Sequence, residues 1–180
     1  MKPFFSIILP TYNQSNFLKK SLESIFNQSF KNWELIISDD ESKDETIKII
    51  NSYLPYFKGK VIFNQNKRNL GISLNCQKAL SFCNGQYICF LTGDDYFHPT
   101  KLEEQVKFFK KNSNISLVGH ECKISGEKIF YSDYISIPRK IFRWFFLNFK
   151  NKGIKTWLRK GCLFSSITIM VNRKLNPEVQ

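Results

Sequence analysis

Two adjacent carboxylates, Asp94 and Asp95, stand at the end of an apolar run in Tyr87 to Pro99, YICFLTGDDYFHP. Tyr87, Ile88, Phe90 and Leu91 are aromatic, β-branched or aliphatic and follow Asn84-Gly85, which predicts a strand buried on both faces. Gly93 lets the backbone turn sharply after it, and Pro99-Thr100 opens a helix through KLEEQVKFFKK. In open α/β sheets, ligands bind in the crevice beyond the carboxyl ends of the strands. Two hard oxygen ligands there suit Mg²⁺ or Mn²⁺, which takes one or two carboxylates and fills its other positions with water and substrate phosphates. Asp is also a common turn and cap residue. Spacing alone leaves the metal reading and the turn reading with roughly equal weight.

The elements that position this pair repeat one pattern. Phe4 to Leu9, FFSIIL, is a first strand closed by the turn-rich Pro10-Thr11-Tyr12-Asn13. Ser15-Asn16 offers an N-cap for a helix with Phe17, Leu18, Leu22, Ile25 and Phe26 at helical spacing. Trp33 to Ser38 is a second strand, and Asp39-Asp40 follows it. Ser42 and Glu45 have capping-box spacing for a helix to about Leu54; Asp39 and Asp40 precede that cap, so capping does not account for them. Lys60 to Asn64 is a third strand, followed by Asn69-Leu70-Gly71 and a helix from Ile72 to about Phe82. After YICFLTGDD and its helix, Ile115 to Gly119 is a fifth strand. Strands alternating with helices over short loops predict an α/β fold, a Rossmann-like, mostly parallel sheet with right-handed crossovers and helices on both faces. All the acidic and Asn-rich loops then fall on one edge of the sheet. Beyond Glu121 the pattern weakens: Cys122 to Ser132 reads as a hairpin around Ser125-Gly126, and Phe164 to Val171, FSSITIMV, as a last strand.

The chain of 180 residues is about one domain in length. Its net charge of +12 bears on partners rather than fold. Arg139 to Gly161 holds Lys and Arg without a single Asp or Glu, interleaved with Phe142, Trp144, Phe145, Phe146, Phe149 and Trp157. Such a segment suits an anionic membrane surface, nucleic acid or a phosphate-bearing substrate, and equally a solvated face over core aromatics. Cys76, Cys83, Cys89, Cys122 and Cys162 form no CxxC pair and no metal-site spacing with His98 or His120. With no signal peptide and no apolar run of spanning length, the expected location is the cytoplasm, with contact at the inner face of the cytoplasmic membrane.

In their order, SIILPTYNQSNFLKKSLESIFNQSFKNWELIISDDESKDET and NLGISLNCQKALSFCNGQYICFLTGDD resemble the inverting, nucleotide-sugar-dependent glycosyltransferases of family 2, which have the GT-A fold. The resemblance covers about the first 120 residues. It implies a nucleotide-sugar (donor) half over residues 1–120 and a partial acceptor-side region over 121–180 that contains the basic aromatic segment 139–161. It further implies donor contacts from Pro10, Thr11, Tyr12 and Asn13, with Tyr12 stacked on the nucleobase. Asp40 would accept a hydrogen bond from the base, Asn69 and the helix start after Gly71 would border the diphosphate, and Thr92 and Gly93 would line the same site. Asp94, with Asp95 beside it, would hold Mg²⁺ or Mn²⁺ as in the family's DXD motif, although Thr92 stands where that motif opens with Asp.

The implied activity is transfer of a sugar from a nucleoside diphosphate sugar to a glycan or lipid-linked acceptor in surface-polysaccharide assembly. The family's general base, often in a Glu-Asp pair, follows the strand that FSSITIMV resembles. Glu178 is the only carboxylate after that strand and stands too early for the role, so the expectation is a chain truncated before the general-base region, with its catalytic base unassigned. A rival reading is a donor-binding fragment that acts only with another chain. A basic nucleic-acid-binding module ranks below both, because a carboxylate-lined edge repels phosphate unless a metal intervenes; nucleic acid is not an expected partner.

Overall fold

The computed structural model describes residues 2–112, 115–118, 136–138 and 170–173. The expected hairpin at Ser125-Gly126, the basic aromatic segment 139–161, His120, Glu178 and most of FSSITIMV lie outside these residues.

Seven strands form one sheet. In chain order the elements are β1 (Phe5–Thr11), α1 (Ser15–Phe26), β2 (Trp33–Asp39), α2 (Thr46–Tyr53), a 3₁₀ turn (Leu54–Phe57), β3 (Val61–Gln65), α3 (Ile72–Leu80), β4 (Tyr87–Phe90), α4 (Lys101–Lys111), β5 (Ile115–Val118), β6 (Ser136–Pro138) and β7 (Met170–Asn172). The spatial order is β3-β2-β1-β4-β7-β5-β6. The first four strands are mutually parallel, as the alternation predicts. On the other side, β7 pairs antiparallel with both β4 and β5, and β5 pairs antiparallel with β6. The sheet is therefore parallel across β3-β2-β1-β4 and antiparallel across β4-β7-β5-β6.

The period of two along each strand divides the core. Phe5, Ile7 and Leu9 of β1 and Leu35 and Ile37 of β2, with Tyr87 and Cys89 of β4, face α1, α2 and α4. Ile8, Ile36 and Ile88, on the alternate positions, meet Ala79 and Cys83 from α3 and the turn after it. Helices thus cover both faces. Full burial of Leu18, Leu22 and Ile25 along α1 contributes about 1.5–3 kcal/mol per side chain. The apolar face of α1 is narrower than the sequence suggests. Phe17 is 57% and Phe26 45% exposed, and Ser21 is buried in the row that they were expected to fill.

Gly85 marks a close approach between the turn before β4 and the start of β1. A Cβ there would come within 2.5 Å of the Ser6 amide nitrogen, so only glycine fits without moving the strand.

Candidate functional site

The carboxyl ends of β1, β2, β3 and β4 lie side by side, and the loops that leave them are laced together. Thr11, at the end of β1, donates from its hydroxyl to Asp39 Oδ2 at 3.0 Å. Asp39 also receives the Ser42 amide at 2.9 Å and the Ser42 hydroxyl at 2.5 Å. Asn13 adopts a left-handed φ of 50°, tolerable for Asn. Its amide donates to Ser42 Oγ and its side-chain oxygen accepts from the Lys43 amide. The start of α1 is capped across this loop, and the Thr46 amide at the start of α2 is satisfied locally by Asp44 Oδ1. Gln14 N–H donates to Thr46 Oγ1, and Ser15 N–H donates to Asp44 Oδ2. Ser15 is the first residue of α1 rather than its cap, and the Ser42–Glu45 capping box does not form: α2 begins at Thr46 with Glu45 as its N-cap residue, and Ser42 Oγ accepts the Asn13 amide while donating to Asp39. Burial works to raise the Asp44 carboxyl, but hydrogen bonds from Thr46 and Ser15 outweigh it and hold it at about 2.

Asp40 is 3% exposed and sits over a buried polar network. Its Oδ1 accepts from Asn66 Nδ2 and the Leu70 amide, each at 2.9 Å, and its Oδ2 accepts from the Gly71 amide at 2.8 Å. Gly71 has φ 78°, a conformation that glycine adopts without strain, and α3 starts immediately after it. Asn66 also donates to Asn75 Oδ1, Asn75 donates to the Ser38 carbonyl, and Lys78 Nζ donates to Asn66 Oδ1. An ionised carboxylate offers about four acceptor positions, so one on Oδ2 is left beyond these three bonds. Asn69 is exposed; its side-chain oxygen accepts from the Gly71 amide, and its own amide donates to Glu41.

The loop after β4 treats its carboxylates differently. Thr92 donates from Oγ1 to Asp95 Oδ2 at 2.5 Å, and the Asp95 amide closes the turn onto the Thr92 carbonyl. Asp94, by contrast, is exposed, and among the described residues its side chain has no hydrogen bond or ion pair. Beneath the turn, the Gln14 side-chain oxygen is buried without a hydrogen-bond partner and lies where a side chain at Gly93 would have to go. Tyr12, on the neighbouring loop, is 48% exposed. His98 is exposed and pairs its ring nitrogen with Thr100 Oγ1.

Residues 6–176 match the model of glycosyl transferase family 2. The chain belongs to that family. Among family relatives, it is 39% identical over 117 residues to a putative glycosyltransferase, EpsE, of Bacillus subtilis, covering 65% of this chain and 42% of that one. It is 30% identical over 174 residues to WfgD of Escherichia coli, a UDP-Glc:alpha-D-GlcNAc-diphosphoundecaprenol beta-1,3-glucosyltransferase, covering 96% of this chain and 62% of that one. The structure of Staphylococcus aureus TarS residues 1–349 in complex with UDP-GlcNAc superposes with a TM-score of 0.66 at 27% identity, over 73% of this chain and 38% of that one. The chain spans about half the length of the curated relatives it matches. The fold is the α/β, Rossmann-like GT-A fold of the family.

On this family frame, a divalent cation fits the donor set through Asp94. That carboxylate is exposed and has no hydrogen bond or ion pair among the described residues, whereas Asp95 Oδ2 accepts from Thr92. Among the described residues, no group of three or more His, Cys, Asp or Glu surrounds a common point. Asp94 could supply one of the one or two carboxylates that such a cation takes when a diphosphate supplies further oxygens. Sequence reasoning missed Asn66, which donates to Asp40, and Ser38 and Asn75, which bond to each other while Asn75 accepts from Asn66. Asn66 lies in the Asn-rich stretch after β3, but Asn75 sits mid-helix, with no local signal of its long-range bonds.

Proposed function

We propose that this chain binds a nucleoside diphosphate sugar at the carboxyl edge of β1 to β4, for transfer of the sugar to a glycan or lipid-linked acceptor. The observation that carries the reading is the contrast at that edge: Asp94, exposed and without a hydrogen bond or ion pair among the described residues, stands among loops whose other carboxylates are tied to the chain. Support comes from the names of relatives, one a glucosyltransferase whose name specifies UDP-Glc and a lipid diphosphate, and from a family structure with UDP-GlcNAc bound.

Tyr12 offers an aromatic face for the base beside Pro10, Thr11 and Asn13, and Asp40 Oδ2 has an acceptor position for a base N–H. Leu70 and Gly71 give their amides to Asp40, which leaves the first-turn amides of α3 for the diphosphate, with Asn69 alongside. Asp94 holds Mg²⁺ or Mn²⁺, with Asp95 adjacent and Thr92-Gly93 shaping the turn. When bound, the cation offsets the charge that builds on the departing diphosphate. A carboxylate-rich edge accepts a diphosphate more tightly with such a cation present.

Calorimetric titration of UDP, GDP and dTDP with and without Mn²⁺ tests the donor site. Metal-dependent binding of one nucleotide, abolished in Asp94→Ala, is expected; an Asp94→Ala protein that binds as wild type would remove the metal from the reading. The proposed setting is the cytoplasmic side of a membrane, supported by the basic aromatic composition of 139–161. Charge reversal at Arg139, Lys140 and Arg143 should weaken partition to anionic vesicles, and unchanged partition would withdraw that support.

A further inference from the structure

A polar stripe runs along α1 beside its apolar row. Ser21 and Ser24 stand about one turn apart on α1, and Gln28 follows just past its C-terminal end. All three reach the backbone of the β4–α4 loop. Ser21, 1% exposed, shares its hydroxyl proton between the Gly93 carbonyl at 2.9 Å and the Asp95 carbonyl at 2.5 Å. Ser24 Oγ accepts the Phe97 amide at 3.0 Å and donates to the Ser21 carbonyl at 2.7 Å. Gln28, fully buried, donates to the His98 carbonyl at 2.7 Å and accepts the Leu102 amide at 3.1 Å. One residue on, the Ser29 amide donates to the Pro99 carbonyl.

Core packing does not require these polar groups, since Leu18, Leu22 and Ile25 fill the adjacent apolar row. The two carbonyls that Ser21 holds belong to the residues on either side of Asp94. The Asp94 side chain itself has no partner among the described residues. Its placement therefore follows the backbone of the turn, where Ser21 of α1 holds the Gly93–Asp94 peptide and the Asp95 carbonyl and the Asp95 amide closes onto the Thr92 carbonyl.

We propose that Ser21, backed by Ser24 and Gln28, is a positioning residue that aims the Asp94 carboxylate at the metal. The inference rests on the reading of Asp94 as a metal ligand. Groups that orient a ligand from behind typically change metal affinity about 10- to 100-fold when removed. The loop is held by a stripe of bonds rather than by Ser21 alone, so the low end of that range applies.

The test titrates UDP calorimetrically into the protein over a series of Mn²⁺ concentrations, with wild type, Ser21→Ala, Ser21→Thr and Asp94→Ala in parallel. Ser21→Ala should raise the Mn²⁺ concentration for half-maximal enhancement of UDP binding about 10-fold and leave metal-free UDP affinity as in wild type. Ser21→Thr, which keeps the hydroxyl, should restore the wild-type Mn²⁺ dependence. Wild-type Mn²⁺ dependence in Ser21→Ala, or an equal loss of metal-free and metal-dependent affinity, would overturn the proposal. Asp94→Ala separates the two levels: if it leaves the Mn²⁺ response intact, the metal reading fails first, and if it abolishes the response while Ser21→Ala does not shift it, only the positioning role fails. Should Ser21→Ala lose its helical circular dichroism, Ser24→Ala serves instead. It should shift the Mn²⁺ dependence in the same direction and speed hydrogen exchange at the Phe97 amide, and faster exchange with an unmoved Mn²⁺ dependence would count against the proposal.

Discussion

The chain contains two Asp-Asp pairs, Asp39-Asp40 and Asp94-Asp95, each following a strand of the same parallel half-sheet. Their fates differ. The first pair is buried, at 0% and 3% exposure, and its oxygens accept from Thr11, Ser42, Asn66, Leu70 and Gly71. In the second pair, Asp95 is tied to Thr92, while Asp94 is exposed with no partner among the described residues. The same dipeptide thus builds the platform in one place and faces the ligand in the other. What separates them is the supply of donors: three loops converge on the first pair, whereas the second sits on a loop whose backbone, not side chains, is held by its neighbour α1.

That contrast can be broken by measurement. Asp40→Ala should have the largest effect, because it removes the acceptor of the Leu70 amide and of one Asn66 side-chain N–H, while the Gly71 amide keeps Asn69 Oδ1; at about 1–3 kcal/mol for each orphan, thermal or urea unfolding should show a loss of about 2 kcal/mol or more. A loss under about 1 kcal/mol would mean that Asp40 is not the anchor of α3. Thr92→Val should cost about 1 kcal/mol, the usual worth of one hydrogen bond, and free Asp95.

Asp44 sharpens the picture through pH. Its carboxyl titrates at about 2 in the folded chain, below the ordinary value of about 3.9. Its contribution to stability is therefore complete above about pH 4 and is lost as pH falls through about 2. Asp44→Asn should lack that portion of the acid-induced loss, and acid unfolding curves that coincide would refute the cross-loop cap. The smallest effect belongs to Asp94→Ala, which should alter stability by no more than about 0.5 kcal/mol while abolishing metal-dependent nucleotide binding. A variant at Asp94 that unfolds as readily as Asp40→Ala would erase the distinction between the pairs.

Much of this arrangement is legible from residue order alone. Period-two apolar runs bounded by turn residues locate β1 to β4, and the acidic and Asn-rich stretches after them converge on one edge because parallel strands all point the same way. The failures have a common physical cause. Ser42 and Ser15 were expected to cap their own helices by local spacing, yet Ser42 pairs with Asp39 and the start of α1 is capped by Asp44, a residue 29 positions away. Hydroxyl and carboxylate groups bond to whichever donor the tertiary fold brings closest, and local spacing does not encode that choice. Phe17 and Phe26 were misplaced for a related reason, since Ser21 and Gln28 take the buried positions that serve the neighbouring loop.

The position of β7 between β4 and β5 has a consequence for the order in which the molecule is made. As the chain leaves the ribosome, β1 to β4 can form their parallel half with local crossovers, but the outer edge of β4 stays unpaired until Met170–Asn172 has been synthesised. The Asp94 loop leaves that same strand. During synthesis, the strand that carries it presents an open row of amides and carbonyls, the kind of edge that recruits other chains. The sequence separation of the β4–β7 pairs is much like that of the β1–β4 pairs, so loop entropy does not set this closure apart; it comes late because its strand is made last.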